Sequence, residues 1–91
     1  MLKASNQIQH NIVVPVIYDI SALNLTLLPA EVQQHINEST EMTRISQADT
    51  PTKPDGTIAT FWYMYKDGDL LPAKTFEGTQ VADNFLVNCL L

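Results

Sequence analysis

One cysteine, Cys89, stands in the whole chain, which excludes an internal disulfide framework and fits a reducing compartment. It sits in an apolar C-terminal stretch with no basic neighbour to activate it, and reads as an inert buried thiol. Basic residues are scarce too: five Lys and Arg stand against ten Asp and Glu, a net charge of −5. Recognition of a phosphate backbone rests on Lys and Arg, so this balance argues against a nucleic-acid partner. DNA mimicry needs dense carboxylates, and at 16% charged residues the polar load falls on Thr, Asn and Gln instead.

The two histidines, His10 and His35, form no HxxxH pair, and one cysteine makes no CxxC, so no metal site is assigned. Gly56, Gly68 and Gly78 are scattered, which leaves no phosphate-cradling loop. No nucleophile-elbow pattern occurs. No catalytic residue and no cofactor is assigned on these grounds. No apolar run approaches the ~20 residues that cross a bilayer. The polar residues 1–7 lack the apolar core of a signal peptide, so the expectation is a cytoplasmic protein without a membrane partner. The sequons at Asn24 and Asn37 then read as chance matches.

Of the seven aromatic residues, five fall in residues 57–77, where two strand-like runs meet at Asp67-Gly68. Asp-Gly between alternating apolar runs signals a two-residue hairpin, with positive φ expected at both turn residues. Pairing back from the turn sets Lys66 opposite Asp69, Tyr65 opposite Leu70 and Met64 opposite Leu71. Continued, the register sets Tyr63 opposite Pro72, Trp62 opposite Ala73 and Phe61 opposite Lys74. Phe61, Tyr63 and Tyr65 share one face; Ile58, Thr60, Trp62 and Met64 share the other. Both faces are largely apolar, as in a central strand covered on each side. Pro72 cannot donate to a ladder, so the return strand belongs at an edge.

Along the rest of the chain, residues 1–9 read as a mobile arm. Residues 10–20 read as a strand with Pro15 at an edge or bulge, and residues 23–27 as a short strand or the start of a helix. Pro29 suits a first helical turn, and Leu28, Val32, His35 and Ile36 form one apolar stripe of a helix over residues 29–39. Residues 41–46 fit a strand or a further helical turn. Residues 47–56 are a loop by composition. Thr79 suits an N-cap for a C-terminal helix with Val81, Phe85 and Cys89 at i+4 spacing.

Length and pattern predict a single domain over residues 1–91 of the α+β class, a small antiparallel sheet of four to five strands with two helices in the order β-β-α-(β)-β-β-α. The expected function is that of a small acidic interaction protein that binds another protein or self-associates as a homo-oligomer. By analogy, this profile is shared with small accessory proteins of phages and mobile elements. The candidate binding surface is the tyrosine face with the return strand: Tyr63, Tyr65, Leu70, Pro72 and Lys74. A second reading is a small-molecule binder with a pocket between sheet and helix, lined by Tyr18, His35 and Trp62. A third is an enzyme using His35 with a carboxylate as general base.

Overall fold

A computed structural model describes residues 16–91. The arm expected at residues 1–9 and the part of the first strand at residues 10–15 lie outside the described residues. The organising element is β3 (Thr60–Lys66), the middle strand of a five-stranded antiparallel sheet. On one side it pairs along its length with β2 (Arg44–Asp49), from Arg44↔Tyr65 to Asp49↔Thr60. The short β1 (Tyr18–Asp19) extends the sheet beyond β2, with Tyr18↔Ile45 and Asp19↔Arg44. On its other side β3 pairs with β4 (Asp69–Leu70) and then with β5 (Phe76–Gly78). The return segment forms the edge, as the proline required.

The hairpin register holds for Lys66↔Asp69 and Tyr65↔Leu70, and the Leu71 N–H still donates to the Met64 carbonyl at 2.8 Å. Beyond that the expected pairing fails. Pro72–Lys74 forms a 3-10 turn, and the ladder resumes with Trp62 opposite Phe76 rather than Ala73. Side chains alternate along a strand, so a shift by three positions turns every later residue to the opposite face. Phe76, which the continued register would aim at the tyrosine face, therefore joins Trp62 on the core side. Positive φ is also confined to Asp67 (54°) in this turn, where the Asp67 N–H donates to Thr43 Oγ1 at 2.6 Å. Asp tolerates the left-handed region, so Gly68 is not called on to supply it.

The single α-helix among the described residues, α1 (Ala30–Glu38), begins directly after Pro29, as the sequence predicts. Its stripe of Leu28, Val32 and Ile36 packs toward Trp62 and Met64 of β3 and Ile45 of β2. Residues 23–27 are neither strand nor regular helix. Leu25–Leu27 is a 3-10 turn capped by Asn24, whose Oδ1 accepts from the Thr26 N–H at 3.2 Å, and Leu23 forms one isolated bridge with Leu90. Residues 41–46, left open between strand and helix, contribute to β2, which also takes Gln47, Ala48 and Asp49 from the expected loop.

The second helix is not found. The C-terminal segment is irregular until Asn84, which adopts a left-handed φ of 55°, and continues as a 3-10 turn over Phe85–Cys89. The cause is a side chain from the sheet. An α-helix here would close the bond from the Leu86 N–H to the Ala82 carbonyl. Gln47 occupies both groups instead: its Oε1 accepts from the Leu86 N–H at 2.8 Å and its Nε2 donates to the Ala82 carbonyl at 3.0 Å. The Val81 N–H is likewise taken by Thr60 Oγ1 at 2.9 Å. Leu86 and Cys89 still reach the core, at the three-residue spacing of a 3-10 turn. The expected apolar content is thus buried in a different backbone form.

A second long-range contact ties α1 to the sheet edge. The Glu31 carboxylate accepts the Thr79 N–H just after β5. A Cβ added at Gly78 would lie 2.5 Å from Glu31 Oε2 and 3.0 Å from the Phe76 ring, so only glycine allows this approach. The Thr79 hydrogen bonds, foremost the backbone one, hold the Glu31 carboxyl below its ordinary value. A depressed folded-state pKa means stability present above about pH 4.5 and lost as pH falls through the folded value. Glu31→Gln keeps an acceptor but cannot titrate. Urea unfolding from about pH 6 to about pH 3 is expected to show a smaller acid loss in Glu31→Gln than in the native chain. Identical pH slopes would refute the contact's role.

Candidate functional site

The two faces of β3 meet different fates. Thr60, Trp62 and Met64 are fully buried under α1 and the C-terminal segment, while Phe61, Tyr63 and Tyr65 on the other face are only half-buried. The strand expected to be covered on each side is fully buried on only one. α1 and the C-terminal segment both pack on the Trp62 side, so the tyrosine face depends on loops for its cover.

One loop supplies a wall. Residues 50–59 connect β2 to β3 and fold back over Phe61 and Tyr63. The Thr50 N–H donates to the Ala59 carbonyl at 2.8 Å, and the Ala59 N–H donates to Thr50 Oγ1 at 3.0 Å. Further out, the Lys53 N–H donates to the Thr57 carbonyl at 3.0 Å and the Gly56 N–H to the Lys53 carbonyl at 2.8 Å. Gly56 has a φ of +87°, a value that L-residues rarely adopt. The Asp55 carboxylate caps the turn by accepting from the Thr57 N–H and hydroxyl at 3.0 and 2.6 Å, which lowers its pKa. With Pro51 and Pro54 restricting φ, the wall is shaped before any ligand arrives.

Between this wall and the sheet lies an open groove of about 520 Å³, lined by Asp49, residues 50–54, Phe61, Tyr63 and Glu77. That volume is within the range of roughly 300–1,000 Å³ of small ligand sites. Phe61 and Tyr63 meet edge to face, with centroids 4.9 Å apart and an 89° interplanar angle. Burial, and secondarily Tyr65, pushes the Tyr63 phenol up, so it stays a protonated donor at neutral pH. At the rim the Lys53 ammonium and the Glu77 carboxylate bond at 2.5 Å. Both are substantially exposed, so this pair closes the rim more than it stabilises the fold.

The predicted site residues separate into groups. Tyr63 lines the groove; Tyr65 lies beyond it, its hydroxyl 2.9 Å from Ser46 Oγ and its backbone paired to Leu70. Leu70 and Pro72 are exposed along the edge, and Lys74 closes the 3-10 turn there. Of the residues expected to line a sheet–helix pocket, Trp62 has no exposed surface and Tyr18 is half-buried in β1. His35 stacks on Phe76 with centroids 3.9 Å apart at 11°, and its Nδ1 lies 2.8 Å from the Glu31 carbonyl in its own helix. Cys89 is buried, which pushes its thiol up.

Sequence reasoning missed Phe61, Pro51, Pro54, Lys53 and Glu77 as site residues. The spacing of Pro51 and Pro54 was a signal of a stiff loop, but only the β2–β3 pairing brings that loop over the tyrosine face. In the groove lining, desolvation and the neighbouring Asp83 push the Asp49 carboxyl up. The linkage sign is opposite to that of Glu31: ionising Asp49 disfavours the fold, and protonation relieves it as pH falls.

Among the described residues no three His, Cys, Asp or Glu side chains group as a metal site, and no helix is long and apolar enough to cross a membrane. No family model, curated protein or solved structure matches this chain.

Proposed function

We propose that this chain is a small acidic binding protein that takes a segment of another protein into the groove between the 50–59 loop and Phe61 and Tyr63. The observation that carries this reading is the groove itself: a hydrogen-bonded wall standing over half-buried aromatics on the sheet face opposite the core. Aromatic residues with a polar tip are enriched where proteins bind one another. The exposed edge from Leu70 to Pro72 extends the same surface beside Tyr65.

Affinity capture with the full chain, run beside a Thr52→Arg variant, tests the proposal. Thr52 lines the groove and is exposed, so arginine there fills the groove without touching the core. The expected result is a set of captured proteins depleted at least about tenfold by the substitution. A capture profile indifferent to Thr52→Arg overturns the groove as the binding site.

Self-association is a second reading, favoured by the exposed Leu27, Val87, Leu90 and Leu91. The first three are each about half exposed, and the segment bearing the last three is tied to the 22–24 stretch by the Leu91 N–H to Ala22 and Asn24 N–H to Cys89 hydrogen bonds. A strictly monomeric mass by light scattering at high concentration would remove this reading.

A further inference from the structure

We propose that the groove selects a basic segment, seating a lysine or arginine side chain at its Asp49 end; this rests on the reading of the groove as a protein-binding site. Charge at and around the groove decides the occupant.

Asp49 closes β2 and lines the groove, and the Asp83 carboxylate of the C-terminal segment lies within hydrogen-bonding reach of it. Among the described residues no base pairs with either: the ion pairs are Arg44–Asp19 and Lys53–Glu77. Lys53 is the one base of the groove lining and its wall. Glu77 holds it at 2.5 Å, and Asp55 of the same loop draws on it as well. Asp49 and Asp83 are both exposed, so they present uncompensated negative charge, and the net charge of −5 adds to the same sign. An acidic occupant is repelled there and a neutral one gains nothing. A cation relieves the repulsion between the two carboxylates and attracts both.

The floor suits the rest of such a side chain. Phe61 and Tyr63 are half-buried rings in contact, an apolar surface on which the aliphatic stem of lysine or arginine packs with its charged head at the rim. Aromatic faces also attract the cation itself. A guanidinium presents several donors in a planar fork and serves two carboxylates better than an ammonium, so arginine is expected to outrank lysine.

The test is an amide NMR titration of the full chain with a short capped peptide of alanine, leucine and two arginines, beside versions with glutamine or glutamate at the arginine positions. The expected result is shift changes centred on Asp49, Thr50, Phe61 and Tyr63, with the glutamine peptide weaker by about tenfold or more. Asp49→Asn is expected to weaken the arginine peptide about fivefold or more. Glu41→Gln removes the same charge beyond the opposite end of β2, and is expected to change binding by less than about twofold. Lowering the pH from about 7 to about 4 is expected to weaken the arginine peptide as Asp49 protonates, and to do so less in Asp49→Asn. Equal binding of the glutamine peptide, or equal losses in Asp49→Asn and Glu41→Gln, overturns the proposal. Random-peptide display on the same chain separates the two levels. Selected peptides without lysine or arginine that are lost with Thr52→Arg refute the charge assignment and leave the groove as a binding site. Absence of any groove-dependent peptide refutes both.

Discussion

Replacing Trp62 with alanine is expected to lower stability by about 3–5 kcal/mol, read as a fall in the denaturation midpoint at unchanged slope. Trp62 is the largest fully buried side chain, at the centre of the cluster with Val32, Ile45, Met64 and Leu86. A domain of this length has about 5–15 kcal/mol of net stability, so the variant stands close to unfolding. Trp62→Phe is expected to cost far less, about 1–2 kcal/mol. Its cavity is smaller, and it removes an indole N–H that is buried without a partner among the described residues. An unsatisfied buried donor already penalises the native state by about 1–3 kcal/mol, and phenylalanine relieves that penalty. Both variants remove the indole N–H, so equal losses would refute the cavity argument.

Replacing Gln47 with alanine is expected to cost about 1–3 kcal/mol, because one truncation removes two hydrogen bonds and strands the Leu86 N–H. The Leu86 N–H loses its partner, while the Ala82 carbonyl keeps the Phe85 N–H at 3.1 Å. The most direct reading is hydrogen exchange at the Leu86 amide, which is expected to speed up well beyond the change at Val32 in α1. Gln47→Glu keeps an acceptor for Leu86 but sets an oxygen against the Ala82 carbonyl, so an intermediate loss is expected. A gain of helical circular dichroism in Gln47→Ala would mean that the freed pair closes the α-helical bond itself. Unchanged Leu86 protection would show that Gln47 does not hold this segment.

The same residue explains where legibility ended. Val81, Phe85 and Cys89 carry a helical spacing that is real as a record of which side chains reach the core. Periodicity reports burial, and a 3-10 turn satisfies it nearly as well as an α-helix over so few residues. What decided between them was a glutamine far away in the chain, on a strand whose own sequence, Arg44–Asp49, has no strong alternation. The candidate site shows the same division. Tyr63 was legible as an exposed-face tyrosine because alternation from Asp67-Gly68 assigns faces without tertiary knowledge. Pro51, Pro54 and Glu77 were not, because their position over Tyr63 depends on the β2–β3 register and on the shifted pairing of β5.

Local chemistry by itself determined the helix after Pro29, the two-residue turn at Asp67-Gly68, the centrality of β3 and the edge position of the return strand. Each follows from interactions within a few residues: a missing N–H, a tolerated φ, an alternation of apolar side chains. Tertiary structure alone decided which face of β3 became core, the flip of Phe76, the unwinding of the C-terminal helix and the existence of the groove. Those outcomes rest on single long-range hydrogen bonds and on a three-residue offset at the sheet edge. Their energies are comparable to the local preferences they override, so no local pattern announces them.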